Sequence, residues 1–204
     1  MTATLRMKHE HRRWYSKGPV VAVVLLSLPI SVCSALELSD ILEASRVTPP
    51  ARVAFREERH SPLFEEALVL EGYLEYLDRG VMNKIIEAPF SESFLIEDDK
   101  VSLERDGEIR SISLERSREL ATIIGAIEAI LAGEATRLEA LFDYEISGTR
   151  ADWSIELRPR SRRVARRVSQ LRVSGSGDSV ERILIDLDDG EYQVMNILPK
   201  APGP

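Results

Sequence analysis

The sequence predicts an α+β fold: a strongly curved antiparallel sheet, preceded by one helix and interrupted by a helical pair, with the helices on its concave face. Three observations lead there. Apolar residues alternate with period two through most of the chain, and short turns separate the runs. The spacing turns helical in "LELSDILEAS" near the start and in "ERSRELATIIGAIEAILAGE" and "EATRLEALF" midway. The remaining length accommodates about nine to eleven strands, and an open sheet of that size is expected to curl.

The first residues set the compartment. Arg6, Lys8, Arg12, Arg13 and Lys17 face a single acid, Glu10, and the apolar run "VVAVVLLSLPISVCSA" follows. A basic start, a short apolar stretch and a small-residue end describe a secretory signal peptide over residues 1–35, cleaved after Ala35 or Ser34. A retained anchor would need about 20 apolar residues, and this run is broken by Pro29. Export to a periplasm is the expectation, with the working domain at 36–198 and a disordered tail at 199–204.

Removing the leader makes the charge more lopsided. The 204 residues carry 27 basic and 34 acidic side chains; five and one of these lie in residues 1–35. An acidic surface excludes non-specific nucleic-acid binding, which needs phosphate neutralisation. The single cysteine, Cys33, falls in the leader, so neither disulfides nor thiol chemistry support the domain.

The elements follow in order. Leu36, Leu38, Ile41 and Leu42 form a helical stripe ended by Pro49-Pro50. In "ARVAFREER", Val53 and Phe55 point one way and Arg52, Ala54 and Arg56 the other. "ALVLEGYLEYL" places Leu68, Leu70, Leu74 and Tyr76 on one face, with Gly72 among them where a side chain would crowd an approaching group. Strands "GVMNKIIEAP", "SFLIED", "KVSLERD" and "EIRSISL" continue the meander. Leu120, Ile124, Ile127 and Leu131 stripe the inserted helix, Ile123 and Ile130 widen it, and Gly133 suits its end. Strands resume from "FDYEISG" to "EYQVMNIL", with Asp189-Gly190 turning the last pair.

Reactive chemistry is scarce. His60 is the only histidine after residue 35, so no histidine metal site can form. Asp186, Asp188, Asp189 and Glu191 lack calcium-loop spacing, and strand alternation accounts for them. Glu57-Glu58 and Asp98-Asp99 read as strand-end and turn charges. With little to activate a nucleophile, catalysis is not expected, and no cofactor is called for.

Two features carry functional expectations. "RPRSRRVARRVSQLR" concentrates arginines; Val164, Val168 and Leu171 at i, i+4 and i+7 suggest a short helix with Arg163, Arg166 and Arg167 outward, either solvated or contacting an acidic partner or anionic head group. Phe55, Leu68, Leu70, Leu74, Tyr76 and Met82 on the sheet, with Leu120, Ile124, Ile127 and Leu131 on the helix, either fill a core or line a greasy cavity.

The segment "GYLEYLDRGVMNKIIEAPFSESFLIEDDKVSL" resembles periplasmic lipoprotein carriers of the LolA type. Gly72, Leu74, Pro89, Ile96 and Asp99 match the family's Gly-x-Leu strand, its strand ending in proline and its strand running into an acidic turn. Phe55 and Glu57 are similar to an aromatic-x-polar step in the first strand, "IELRP" to a Leu-x-Pro strand end, and "ILIDLDDG" to a late strand and turn. Where typical carriers have Arg-Pro after the Gly-x-Leu strand, this chain has Asp78-Arg79-Gly80, so the gating arginine does not transfer.

The resemblance implies an open or half β-barrel whose N-terminal helix and inserted helical pair form a lid over a hydrophobic cavity, in a monomeric carrier that binds acyl chains of lipoproteins or other lipids there and ferries them towards the outer membrane. An inner-membrane exporter and an outer-membrane acceptor would be its partners. The alternative is a lipid- or protein-sensing interaction domain that regulates an envelope partner.

Overall fold

The computed structural model describes residues 36–199. The expected leader at 1–35, and all but the first residue of the expected tail, lie outside them. α1 (Leu38–Ala44) buries Leu38, Ile41 and Leu42, the stripe anticipated from sequence. Six strands follow: β1 (Ala51–His60), β2 (Leu68–Asp78), β3 (Val81–Ala88), β4 (Glu92–Glu97), β5 (Lys100–Arg105) and β6 (Glu108–Ser113). Then come α2 (Arg118–Ala132), α3 (Ala135–Leu141), β7 (Phe142–Thr149), β8 (Asp152–Pro159), α4 (Arg162–Ala165), β9 (Val168–Ser176), β10 (Ser179–Leu187) and β11 (Tyr192–Ile197).

Local chemistry sets the boundaries. Asp98 and Asp99 both take positive φ, 49° and 55°, in the tight turn between β4 and β5; aspartate tolerates this better than most side chains. Gly133 closes α2 at φ 73°, and the Glu134 amide returns to the Ala129 carbonyl at 2.8 Å.

All eleven strands join one antiparallel sheet in the order β6-β5-β4-β3-β2-β1-β11-β10-β9-β8-β7. The first and last strands meet at its centre, with Phe55 paired to Ile197 and His60 to Tyr192. This corrects the half-barrel expectation. The sheet is open, neither closed nor strongly curled, with β6 and β7 as separate edges. Closure needs edge strands in register, and the chain between these two is spent on α2 and α3. Sheet length alone was an insufficient guide to curvature.

The lid-over-cavity expectation needs the same correction. α2 packs down through small residues: Gly125, Ala126 and Ala129 are buried beside Ile130. Ala126, Ala129 and Ile130 join α1, Leu138 of α3, and Phe142, Trp153, Ile155, Leu157 and Leu171 of the sheet in the largest core cluster. The other side of α2 packs on β2 to β5. There Ile124 meets Tyr76, Met82 and Val101, with Leu120, Ile127 and Leu131 around them. The stripe is in contact, not roofing a hollow.

A second correction concerns the arginine-rich segment. Its helix stops at Ala165 and never reaches Val168 or Leu171, which belong to β9. The ladder between β9 and β10 is irregular between Asp186 and Leu187. That irregularity lets Val168 and Leu171, three residues apart, both turn inward from a strand.

Candidate functional site

The central strands supply the most distinctive surface. On β1 the helix-side face runs Val53, Phe55, Glu57, Arg59; on β2 it runs Leu68, Leu70, Gly72, Leu74, Tyr76; on β3, Met82, Lys84, Ile86. Phe55, Leu70 and Ile86 are buried there with Leu74, Phe90, Phe94, Met195 and Ile197 packed about them, and among the described residues no helical residue joins this cluster. Leu68 is 41% exposed at one end and Val53 36%.

A charged cluster sits in this apolar surface. Glu57 is 1% exposed; Arg59 Nε donates to its Oε1 at 2.6 Å and Lys84 Nζ donates to its Oε2. The Lys84 ammonium also lies 5.0 Å from the centre of the Phe55 ring. Lys84 stands opposite Leu74, so its stem must cross β2 to reach Glu57, and Gly72 offers no side chain in the way. Burial pushes the Glu57 carboxyl up, but the neighbouring Lys84 and Arg59 charges outweigh it and hold the pKa below its usual value. Next along the face, Glu92 is buried against Arg105 at 2.9 Å, and Arg105 lies over Phe90.

Sequence reasoning treated Glu57 as an ordinary strand-end charge; its burial corrects that. The signal was available, because the alternation through Val53 and Phe55 continues inward to Glu57 and Arg59. Lys84 likewise falls between Met82 and Ile86 on the same face.

The other singled-out residues divide into three groups. Tyr76, Met82, Leu120, Ile124, Ile127 and Leu131 meet beneath α2. Phe55, Leu70 and Leu74 belong to the helix-free cluster, with Leu68 at its rim. Arg163, Arg166 and Arg167 are all exposed around α4. Arg163 reaches Glu119 in the first turn of α2 at 3.5 Å. Arg160 pairs with Asp143 and Arg172 with Glu156, so the run is not one free cationic patch.

His60 stacks on Tyr192 at 4.2 Å between ring centres. A concavity of about 370 Å³ lies on the opposite sheet face, polar and lined by residues such as Glu145, Glu156, Arg158 and Arg172. Among the described residues, no three acidic, histidine or cysteine groups are placed to hold a metal ion. Nor is any helix long and apolar enough to cross a membrane.

The chain belongs to the family described as outer membrane lipoprotein carrier protein LolA-like, whose pattern matches residues 31–199. That family is periplasmic and non-catalytic.

Among solved structures, a LolA superfamily protein from Nitrosomonas europaea is similar at 12% identity and a TM-score of 0.44, covering 81% of this chain and 93% of its own. The lipoprotein LppX from Mycobacterium tuberculosis matches at 12% identity and a TM-score of 0.39, covering 82% and 97%. The MucA/MucB complex from Pseudomonas aeruginosa contains a chain matched at 14% identity and 0.39, covering 79% and 56%. No match was found among curated protein sequences.

Proposed function

We propose that this chain is a periplasmic carrier that takes up the acyl chain of a lipoprotein or another lipid and ferries it towards the outer membrane. One observation carries the reading. Among the described residues no helix packs on the apolar cluster over β1, β2 and β3, yet that cluster continues directly into the one gripped by α2. An acyl chain laid on Phe55, Leu70 and Leu74 would run up to the packed cluster of Tyr76, Met82, Leu120, Ile124, Ile127 and Leu131, and would pass beneath α2 only where the helix lifts from those contacts. Each methylene removed from water contributes about 0.8 kcal/mol. Release would follow when α2 reseats. Export by a signal peptide cleaved near residue 35, an inner-membrane exporter, an outer-membrane acceptor and a monomeric state complete the reading.

The test is native mass spectrometry of protein exported to a periplasm and purified without detergent. Adducts of acyl-chain mass that vanish on organic extraction are expected. An unliganded mass together with no binding of a fluorescent fatty-acid probe would sink the proposal. Replacing Leu74 or Ile127 by Glu in a folded variant should remove the adduct.

The exposure of Arg163, Arg166 and Arg167 favours a second reading, a sensing domain that docks an acidic envelope partner there. Reversing all three to Glu separates the two: a sensor loses its partner, whereas a carrier keeps its lipid.

A further inference from the structure

We infer that Lys84 and Arg59 form the head-group subsite of this face and select an acyl chain that ends in a carboxylate. The inference rests on the carrier reading and adds the chemical class of the ligand. Two cations converge on one acid, so the cluster carries a net positive charge inside a protein whose overall charge is −7. A single negative charge complements it. Both cations remain accessible, the Lys84 side chain 19% exposed and that of Arg59 35%. An ammonium offers three donors and a guanidinium five, and contact with Glu57 uses one from each.

The surroundings provide the tail's seat. The ammonium lies 5.0 Å from the centre of the Phe55 ring, and Leu74, across from Lys84 on one side and Val53 on the other, leaves half-buried and exposed apolar side chains along the Lys84 stem. Glu57 shows which anion the cluster accommodates, since it is itself a carboxylate held by both cations at once. A fatty carboxylate would meet the same donors from the open side. A charge held among apolar side chains is screened less than one in water, so the head group adds selectivity to the binding that the tail supplies.

The experiment displaces an uncharged fluorescent apolar probe from the full protein with oleate, oleyl alcohol or oleoyl lysophosphatidate, with folding followed by circular dichroism. Oleate should compete at about ten-fold lower concentration than oleyl alcohol, the usual order for a charge-assisted hydrogen bond. Lys84→Met should bring oleate to the level of the alcohol. Glu57→Gln removes the competing anion and should tighten oleate, an outcome that a purely structural ion pair cannot produce. Oleyl alcohol should be indifferent to both substitutions.

If Lys84→Met fails to fold, the direction of the Glu57→Gln change decides. Equal competition by oleate and oleyl alcohol in all variants would overturn the subsite while leaving the carrier reading intact. Failure of every competitor would overturn the carrier reading itself. Preference for the lysophosphatidate would overturn the carboxylate assignment.

Discussion

A side chain at Gly72 would collide with the backbone of Ile85: a Cβ there would stand 2.9 Å from the carbonyl carbon and closer still to its oxygen. The β2–β3 ladder slips between Glu71 and Gly72, bringing the neighbouring strand's carbonyl over the glycine. Gly72→Ala should therefore cost about 2–3 kcal/mol, the range of an overpacked core site. Urea denaturation measures it, and a cost below about 0.5 kcal/mol would refute the close approach.

Glu57 gives a pH prediction with a definite sign. Its pKa is depressed in the folded state by Lys84 and Arg59, although burial opposes the shift. A depressed carboxyl stabilises the fold above its unfolded pKa of about 4.3 and loses that contribution as pH falls through the folded value. Wild type should exceed Glu57→Gln by about 3 kcal/mol at neutral pH, the scale for breaking a buried pair. The gap should shrink in urea titrations below about pH 4. A gap independent of pH would contradict the ion pair.

Ala129 is fully buried where α2 meets α1 and α3. Ala129→Leu inserts three carbons into a filled space and should destabilise by about 1–3 kcal/mol. The helix would also lift from Tyr76 and Met82, which belong to its other contact. Thermal unfolding reports the first effect and near-ultraviolet dichroism the second.

Trp153 is 1% exposed, and its indole donates to the Gly177 carbonyl at 3.3 Å. Opposite it stands Gly175, where a Cβ would come within 2.8 Å of the ring. Trp153→Ala should cost about 3–5 kcal/mol. Trp153→Phe should cost less, because most of the ring's space stays filled. Equal losses would place the energy in the hydrogen bond instead.

The strands were legible because one face of each is wet: Leu70, Leu74 and Tyr76 alternate with Glu71, Tyr73 and Glu75 in the middle of β2. Gly133 also announced the end of α2. The pairing of β1 with β11 was not legible, since register between distant segments leaves no local mark. Val168 and Leu171 misled because a ladder irregularity reproduced helical spacing on a strand. Glu57 was overlooked for a different reason. Charge ordinarily marks an exposed position, whereas a buried acid with two cationic partners obeys the strand's period as an apolar residue does.

The central seam of the sheet has a temporal consequence. Phe55 and Ile197 are neighbours in space but come from opposite ends of the described chain, so β1 keeps an open edge until the last strand has been made. Strands β2 to β6 can assemble as successive hairpins beforehand, but the join between the two halves must wait. Such long-range closure is slow. The sheet of a newly made chain therefore stays in two separate runs of strands until β11 arrives, and a copy truncated before Tyr192 would leave the β1 edge unpaired.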